Sequence, residues 1–277
     1  MKSAVIVIPV YKANPTEMEL KSFKQCLKIL AQYPVCIVTH IDLDLDIYLN
    51  EAGKKDIDIK YFSPHYFCSV CEYSQLMREH SFYKAFKEYG YMLIHQLDAW
   101  VFKDELEMWC SKGYDYIGAP WFTNYSSHEA GGKLWKVGNG GFSLRKISTF
   151  IRITNPRRRL KSTFEVFKTE YKNIRSIPTC ILRSLGHRNK IGYFRNYYYY
   201  RNEDVYFCIE MQKFKKMRLH LPTPEEASHF SLECSPRYLL EINNFELPMG
   251  CHAWEKYDKE FINKYGQKYS NRISGGR

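Results

Sequence analysis

The sequence predicts an α/β domain built on a mostly parallel central sheet flanked by helices. Three observations carry that prediction. Residues 4–10 (AVIVIPV) are an apolar, largely β-branched run, the pattern of a strand buried on both faces. Comparable runs return at 35–41, 57–62 and 91–97. Helical patterns separate some of them, and strand alternating with helix implies crossovers between parallel strands.

After the first strand, residues 16–32 read as a helix: Pro15 precedes it, and Leu20, Phe23, Leu27 and Leu30 recur at helical spacing. Residues 73–88 read as a second, with Leu76, Phe82 and Phe86 near one face. Beyond Asp98 the texture changes. Residues 114–119 form a strand leading into Pro120-Trp121, 124–133 a loop, and 136–144 a glycine-rich loop ahead of a helix. Residues 203–214 read as a helix and 217–221 as a strand. The tail after Trp254 is polar, a docked helix with a loose end at Ser274-Gly-Gly-Arg277.

The length of 277 residues suits one large domain over 1–255 with a tail over 256–277. The 23 Tyr suit either a sugar- or protein-facing surface or a Tyr-rich core rim. Net charge is +11, and residues 157–201 hold twelve Lys/Arg against two Glu, a local net of +10. That stretch, with Tyr197–Tyr200 at its end and a partly helical stripe of Phe164, Phe167 and Tyr171, reads as a basic insertion over about 155–200. Such a patch attracts anions: nucleic acid, acidic lipid headgroups or phosphorylated substrates.

The nine Cys are an odd number, and the opening run reads as a strand rather than a signal peptide. No run approaches the roughly 18–20 apolar residues that span a bilayer. The expectation is a cytoplasmic protein with free thiols. Cys68-Ser-Val-Cys71 has metal or redox spacing but no second ligand pair, so buried structural thiols are expected there.

Ligands of open parallel sheets bind beyond the carboxyl ends of the strands. Pro9-Val10-Tyr11 and Gln96-Leu97-Asp98 fall at such ends. Asp98 can hold a divalent cation through oxygen or cap the next turn. Gly140 and Gly141 let the backbone approach a ligand closely, or simply make a tight turn; the loop has neither a phosphate-loop nor a dinucleotide pattern. Glu203 and Asp204 open a helix, where acids cap free amides and suit the dipole. The same position can aim a carboxylate at an acceptor hydroxyl as a general base. His252, in Gly250-Cys-His252, is either a ligand or a hydrogen-bonded structural residue. His229 reads as a packing or loop residue.

The order of these features is the informative part: strand-end acid, glycine loop, Glu-Asp at a helix start, late Gly-x-His. In it the chain resembles glycosyltransferases of the GT-A fold, which is Rossmann-like. More closely it is similar to a family of bacterial glycosyltransferase-like proteins. The segments that carry the likeness are His95-Gln-Leu-Asp-Ala-Trp-Val-Phe102, Tyr114-Asp-Tyr-Ile-Gly-Ala-Pro-Trp121, Gly138-Asn-Gly-Gly-Phe-Ser-Leu-Arg145 and Asn202-Glu-Asp-Val-Tyr-Phe-Cys208. The last two also resemble Fringe-type inverting enzymes. The resemblance covers about residues 3–255.

The resemblance implies a transferase moving sugar from a nucleotide-sugar donor to a hydroxyl of a glycan or lipid-linked acceptor, with inversion, in surface polysaccharide synthesis. It implies that Pro9, Val10 and Tyr11 hold the base and ribose, and that Gln96 and Asp98 occupy the Asp-x-Asp position that binds Mn²⁺ or Mg²⁺ on the diphosphate. Gly140 and Gly141 line the donor-sugar site. Asp204 is the implied catalytic base, with Glu203 orienting the loop or contacting the acceptor. His252 completes the metal shell with Asp98. Gln96 departs from the pattern, which leaves one carboxylate and one imidazole for the metal, or metal-free transfer with basic residues neutralising the diphosphate.

Two other classes stay open. One is a GT-A-like protein that binds a sugar nucleotide without turnover. The other is a nucleic-acid-binding protein using residues 157–201 and their tyrosines. The segment contains no recognisable nucleic-acid module and sits between enzyme-like motifs, so no specific nucleic acid is expected. An acceptor-side element or a membrane-surface element at the inner face suits it better, since each basic residue near an anionic surface contributes about 1 kcal/mol; a solvated loop is the plain alternative.

Overall fold

A computed structural model describes residues 2–124, 129, 131–262, 264 and 265. The chain opens with β1 (Lys2–Pro9), α1 (Glu17–Ile29), β2 (Val35–Thr39), α2 (Asp46–Ala52) and β3 (Ile57–Tyr61). Two short helices, α3 (Val70–Leu76) and α4 (His80–Lys84), precede β4 (Tyr89–His95). Strands β3, β2, β1 and β4 lie side by side and parallel. Residues Ile6, Val7 and Ile8 of central β1 are fully buried, which is why this strand carries no polar alternation. Thr16 and Glu19 close a reciprocal cap at the start of α1 (2.7 and 3.2 Å), an arrangement contributing about 1 kcal/mol. The helix then buries Phe23, Cys26 and Leu27 against the sheet.

Next come β5 (Ala99–Val101), α5 (Leu106–Ser111), β6 (Tyr116–Ile117), β7 (Pro120–Phe122), β8 (Leu134–Val137), β9 (Phe142–Lys146) and α6 (Ile147–Thr154). Strand β9 runs antiparallel to β4, and β6 antiparallel to β9, giving the six-stranded order β3-β2-β1-β4-β9-β6. The basic stretch folds as three helices, α7 (Thr163–Glu170), α8 (Ile177–Ser184) and α9 (Ile191–Tyr197). The chain continues with α10 (Glu203–Val205), α11 (Pro224–Phe230), β10 (Ser231–Leu232), α12 (Pro236–Ile242), β11 (Gly250–His252) and α13 (Trp254–Tyr257). A small sheet, β10-β11-β5, carries its own apolar cluster of Trp100, Phe102, Leu232, Leu239, Trp254 and Phe261.

The predicted α/β class with a mostly parallel sheet and flanking helices is the observed one. Several elements differ from expectation. The helix expected over 73–88 begins earlier and breaks at Arg78, whose buried guanidinium turns back onto the carbonyls of Ser74, Tyr198 and Tyr199 (2.7–2.9 Å). A buried guanidinium needs such acceptors, and finding them outweighs helix continuity. The glycine loop leads into strand β9 rather than a helix. Residues 217–221 form no strand: a 3₁₀ turn (Lys215–Met217) is followed by an extended segment held to the body by the Asp115 amide on the His220 carbonyl (2.8 Å). The helix expected over 203–214 is continuous but changes winding, from α10 to a π segment (Tyr206–Glu210) and a 3₁₀ turn (Met211–Lys213). Cys68 is exposed and Cys71 half-buried, against the expectation of buried thiols, because they flank the start of α3 at a cavity mouth; all nine cysteines are free. Much of the expected 124–133 loop and the Ser274–Arg277 end lie outside the described residues. No helix among the described residues is long and apolar enough to cross a membrane.

Candidate functional site

Strand order fixes where a ligand can enter. From β1 the chain winds outward to β2 and β3 on one side and to β4 on the other, so the sheet switches direction between β1 and β4. Beyond the carboxyl ends of that pair the loops part and leave a crevice. A cavity of about 380 Å³ lies there, lined by Pro9, Tyr11, Tyr66, Phe67 and Asp98 among others. It shares Val70, Tyr73 and Gln96 with a second cavity of about 300 Å³, lined also by Gly140, Gly141, Asp204, Glu233, His252 and Lys256. The two form one cleft. Of the site residues expected from sequence, Pro9, Tyr11, Gln96 and Asp98 line the first chamber, and Gln96, both glycines, Glu203, Asp204 and His252 line the second. Val10 is fully buried and its amide bonds the Val38 carbonyl, so its side chain belongs to the sheet core.

The small sheet assembles the middle of the cleft through register. Antiparallel pairing sets His252 opposite Ala99, one residue after Asp98. Parallel pairing sets Leu232 opposite Cys251, which places Glu233 beside His252. The His252 imidazole then meets Glu233 through Nδ1 (3.0 Å) and both Gln96 Oε1 (3.1 Å) and Asp98 Oδ1 (3.2 Å) through Nε2. Burial opposes charge on His252, but the Glu233 and Asp98 carboxylates outweigh it and raise its pKa well above the usual histidine value. Burial likewise opposes charge on Asp98, and the His252 imidazolium more than offsets it and lowers that pKa.

Whether this cluster suits a divalent cation follows from its donors. Among the described residues no group of three His, Cys, Asp or Glu side chains forms a metal set. The set here is one carboxylate, one imidazole and one amide oxygen. Hard six-coordinate cations with bonds of about 2.1 Å hold adjacent ligands about 3.0 Å apart. The Nε2–Oδ1 and Nε2–Oε1 separations of 3.2 and 3.1 Å are close to that spacing. A cation there would have to displace the Nε2 proton of the imidazolium, and Glu233 on Nδ1 would then hold the tautomer that turns the Nε2 lone pair toward it. The residues fit Mg²⁺ or Mn²⁺.

The glycine loop is packed against both sides of this cluster. A Cβ on Gly141 would run into the His252 ring, and one on Gly140 into the Glu203 carboxylate. The Gln96 amide bonds the Gly141 carbonyl (2.8 Å), tying the loop to the strand-end turn. Asn139, at φ 57°, takes the Trp121 indole N–H on its side chain (2.8 Å), so the Pro120-Trp121 motif supports the loop from outside.

Glu203 and Asp204 differ in surroundings. Glu203 is buried and accepts from the fully buried Arg145 (3.1 Å) and from Ser74 Oγ (3.2 Å). Arg145 also donates to the Tyr83 hydroxyl (3.0 Å) and the Gly140 carbonyl (3.4 Å). Glu203 thus joins α3, the glycine loop and α10. Asp204 accepts only the Val205 amide (2.7 Å) among its side-chain hydrogen bonds to described residues. Burial first, and the Glu203 carboxylate second, raise its pKa to about 7.

Three members of this site carry no motif that marks them in the sequence. Glu233 follows a two-residue strand and has no motif of its own; only the register of β10 on β11 reveals it. Arg145 closes the glycine segment, and a basic residue in an apolar strand is the signal that could have found it. Tyr73 lines both chambers, and its hydroxyl is buried where they meet. His229, expected as a packing or loop residue, is instead exposed on the last turn of α11, whose inward face is taken by Ala227, Ser228 and Phe230.

Residues 56–252 match the family described as "Protein of unknown function (DUF5672)". No curated protein matches the chain. Among solved structures the chain is similar to A197 from STIV, at 13% identity and a TM-score of 0.34 over 80% of this chain and 82% of that one. It is similar to core-mannan synthase A (CmsA/Ktr4) from Aspergillus fumigatus in a Mn/GDP form, at 11% identity and TM-score 0.36 over 74% and 71%. It is also similar to a glycosyltransferase involved in glycosylation of the major capsid of PBCV-1, at 11% identity and TM-score 0.39 over 97% and 99%.

Proposed function

The chain belongs to the DUF5672 family, and on that premise we propose that it is a GT-A-type inverting glycosyltransferase. It transfers a sugar from a nucleotide-sugar donor to a hydroxyl of a glycan or lipid-linked acceptor. The observation that carries this reading is the placement of Asp204 in one cavity with His252, Gly140 and Gly141, where burial and the Glu203 carboxylate push its pKa upward. A base whose pKa lies near working pH is suited to take a proton from an attacking hydroxyl.

The first chamber suits the nucleotide. Tyr11, Tyr66 and Phe67 offer aromatic faces to a base, beside the strand end at Pro9. Asp98, His252 and Gln96 would hold Mn²⁺ or Mg²⁺ at the junction, where the cation supplies Lewis-acid neutralisation of a diphosphate. Lys256 lines the second chamber beside them and adds positive charge toward the same group. Gly140 and Gly141 present backbone rather than side chains to the donor sugar. Glu203 is a positioning residue that keeps the loop and α10 in register, and Asp204 removes the acceptor proton.

A second reading, a sugar-nucleotide binder without turnover, is favoured by Gln96 in place of an acid. Thermal-shift measurements with a panel of nucleotide sugars, with and without Mn²⁺, test the donor site. A ligand present at 100 times its Kd stabilises the fold by about 2.7 kcal/mol. The expected result is a rise in Tm for one donor class, larger with Mn²⁺, and loss of the Mn²⁺ increment in Asp98→Asn/His252→Ala. No shift with any nucleotide sugar would sink both readings.

A further inference from the structure

Helix α8 wears its apolar side outward. Cys180 and Ser184 are its buried face. Pro178, Ile181, Leu182 and Leu185 stand at i, i+3, i+4 and i+7, one stripe of the helix surface, and all four are exposed. Ile174, in the 3₁₀ turn before the helix (Ile174–Ser176), extends it. Exposure is 76% at Ile174, 48% at Ile181, 53% at Leu182 and 68% at Leu185; Phe164 on the neighbouring α7 is 74% exposed. The capping box of Ser162 and Glu165 and the packing of α7 on α8 make this hairpin a built element. A contiguous exposed apolar stripe on such an element marks a surface for something else to cover.

The charge around the stripe decides what covers it. Lys161 and Arg183 pair with Glu170. Among the described residues Lys168, Lys172, Arg175, Arg188 and Lys190 are exposed and carry no ion pair. A second copy of the chain would bring one +10 segment against another. Nucleic acid would meet the cations but has no use for four aliphatic side chains. An anionic bilayer satisfies both, with acyl chains for the stripe and headgroups for the cations. We propose that the α7–α8 hairpin is a membrane-interface anchor, which lays the Ile181/Leu182/Leu185 stripe into an anionic lipid surface. The proposal stands apart from the transferase reading, since no donor or acceptor enters it.

Flotation of the full chain tests it, with vesicles of phosphatidylcholine alone or mixed with phosphatidylglycerol. Wild type is expected to float with the mixed vesicles and stay below with the neutral ones. Leu182→Ser/Leu185→Ser changes two exposed side chains, so its circular dichroism and Tm should match wild type. Its partition should fall at least tenfold, since each buried Leu contributes that much or more. Lys172→Gln/Arg175→Gln should lose about fivefold per charge. Equal recovery with both vesicle types would overturn the proposal. So would wild-type flotation by the Leu double variant, which would leave only bulk charge adsorption. A lipid-free dimer in sedimentation that the same variant abolishes would overturn it too, making the stripe an interface between copies.

Discussion

Glu203 and Asp204 are adjacent in sequence, and their partners give them opposite energetics. Glu203 neutralises Arg145, and both side chains are buried. Removing the charge in Glu203→Gln leaves the guanidinium uncompensated, at a cost of about 3–5 kcal/mol; a lower urea midpoint at unchanged slope is the expected readout. Among the described residues Asp204 makes no ion pair, and the Glu203 carboxylate beside it outweighs the more distant Arg145 guanidinium. Its folded pKa, raised to about 7, lies above the unfolded carboxylate value. Its favourable contribution is therefore present below that unfolded value, and is lost as pH rises through about 7. Asp204→Asn should raise Tm relative to wild type, more at pH 8 than at pH 4, while lowering turnover roughly 10²–10⁴-fold. Wild-type kcat/KM should fall as pH drops below about 7, because the base becomes protonated. A pair of variants that lost stability together would contradict this division of roles.

At the scale of elements, the site depends on register in the small sheet and on close approach by the glycine loop. Gly141→Ala places a methyl where the His252 ring lies, so the ring or the loop must move. Mn²⁺ titration calorimetry should show at least a tenfold loss of affinity, by displacement of one ligand and its support. Unchanged affinity would mean that the loop does not set His252. The same elements mark what could be read from sequence. The β1–β4 core was legible because it is local: long apolar runs broken by a capped helix at Thr16. The positions of Asp98, Gly140, Gly141, Asp204 and His252 were legible as motifs, and the fold gathers them in one cleft. Glu233 was not, since its place depends on a long-range pairing of two short strands. The break at Arg78 was not, since its acceptors lie about 120 residues away, at Tyr198 and Tyr199. Helices α2, α5, α11 and α12 are six or seven residues long, too short for a helical period to stand out.

At the scale of the molecule, the core divides into two apolar clusters. One belongs to the six-stranded sheet and supplies the strand ends. The other belongs to the small sheet and supplies Glu233 and His252. The basic insertion is linked to the cleft wall rather than detached from it: Arg78 holds the carbonyls after α9, and Arg195 pairs with Glu79 (2.7 Å). The predicted insertion is therefore a helical element of the body, and the Tyr197–Tyr200 run ends just before α10, which lines the cleft. The central claim, a cleft in which Asp204 activates an acceptor, is tested most directly by release of nucleoside diphosphate from the donor that stabilises the fold. Wild type and Asp204→Asn should be compared at matched donor occupancy. Equal donor binding and a roughly 10²–10⁴-fold loss of release in the variant are expected. Release at the wild-type rate by Asp204→Asn would contradict it.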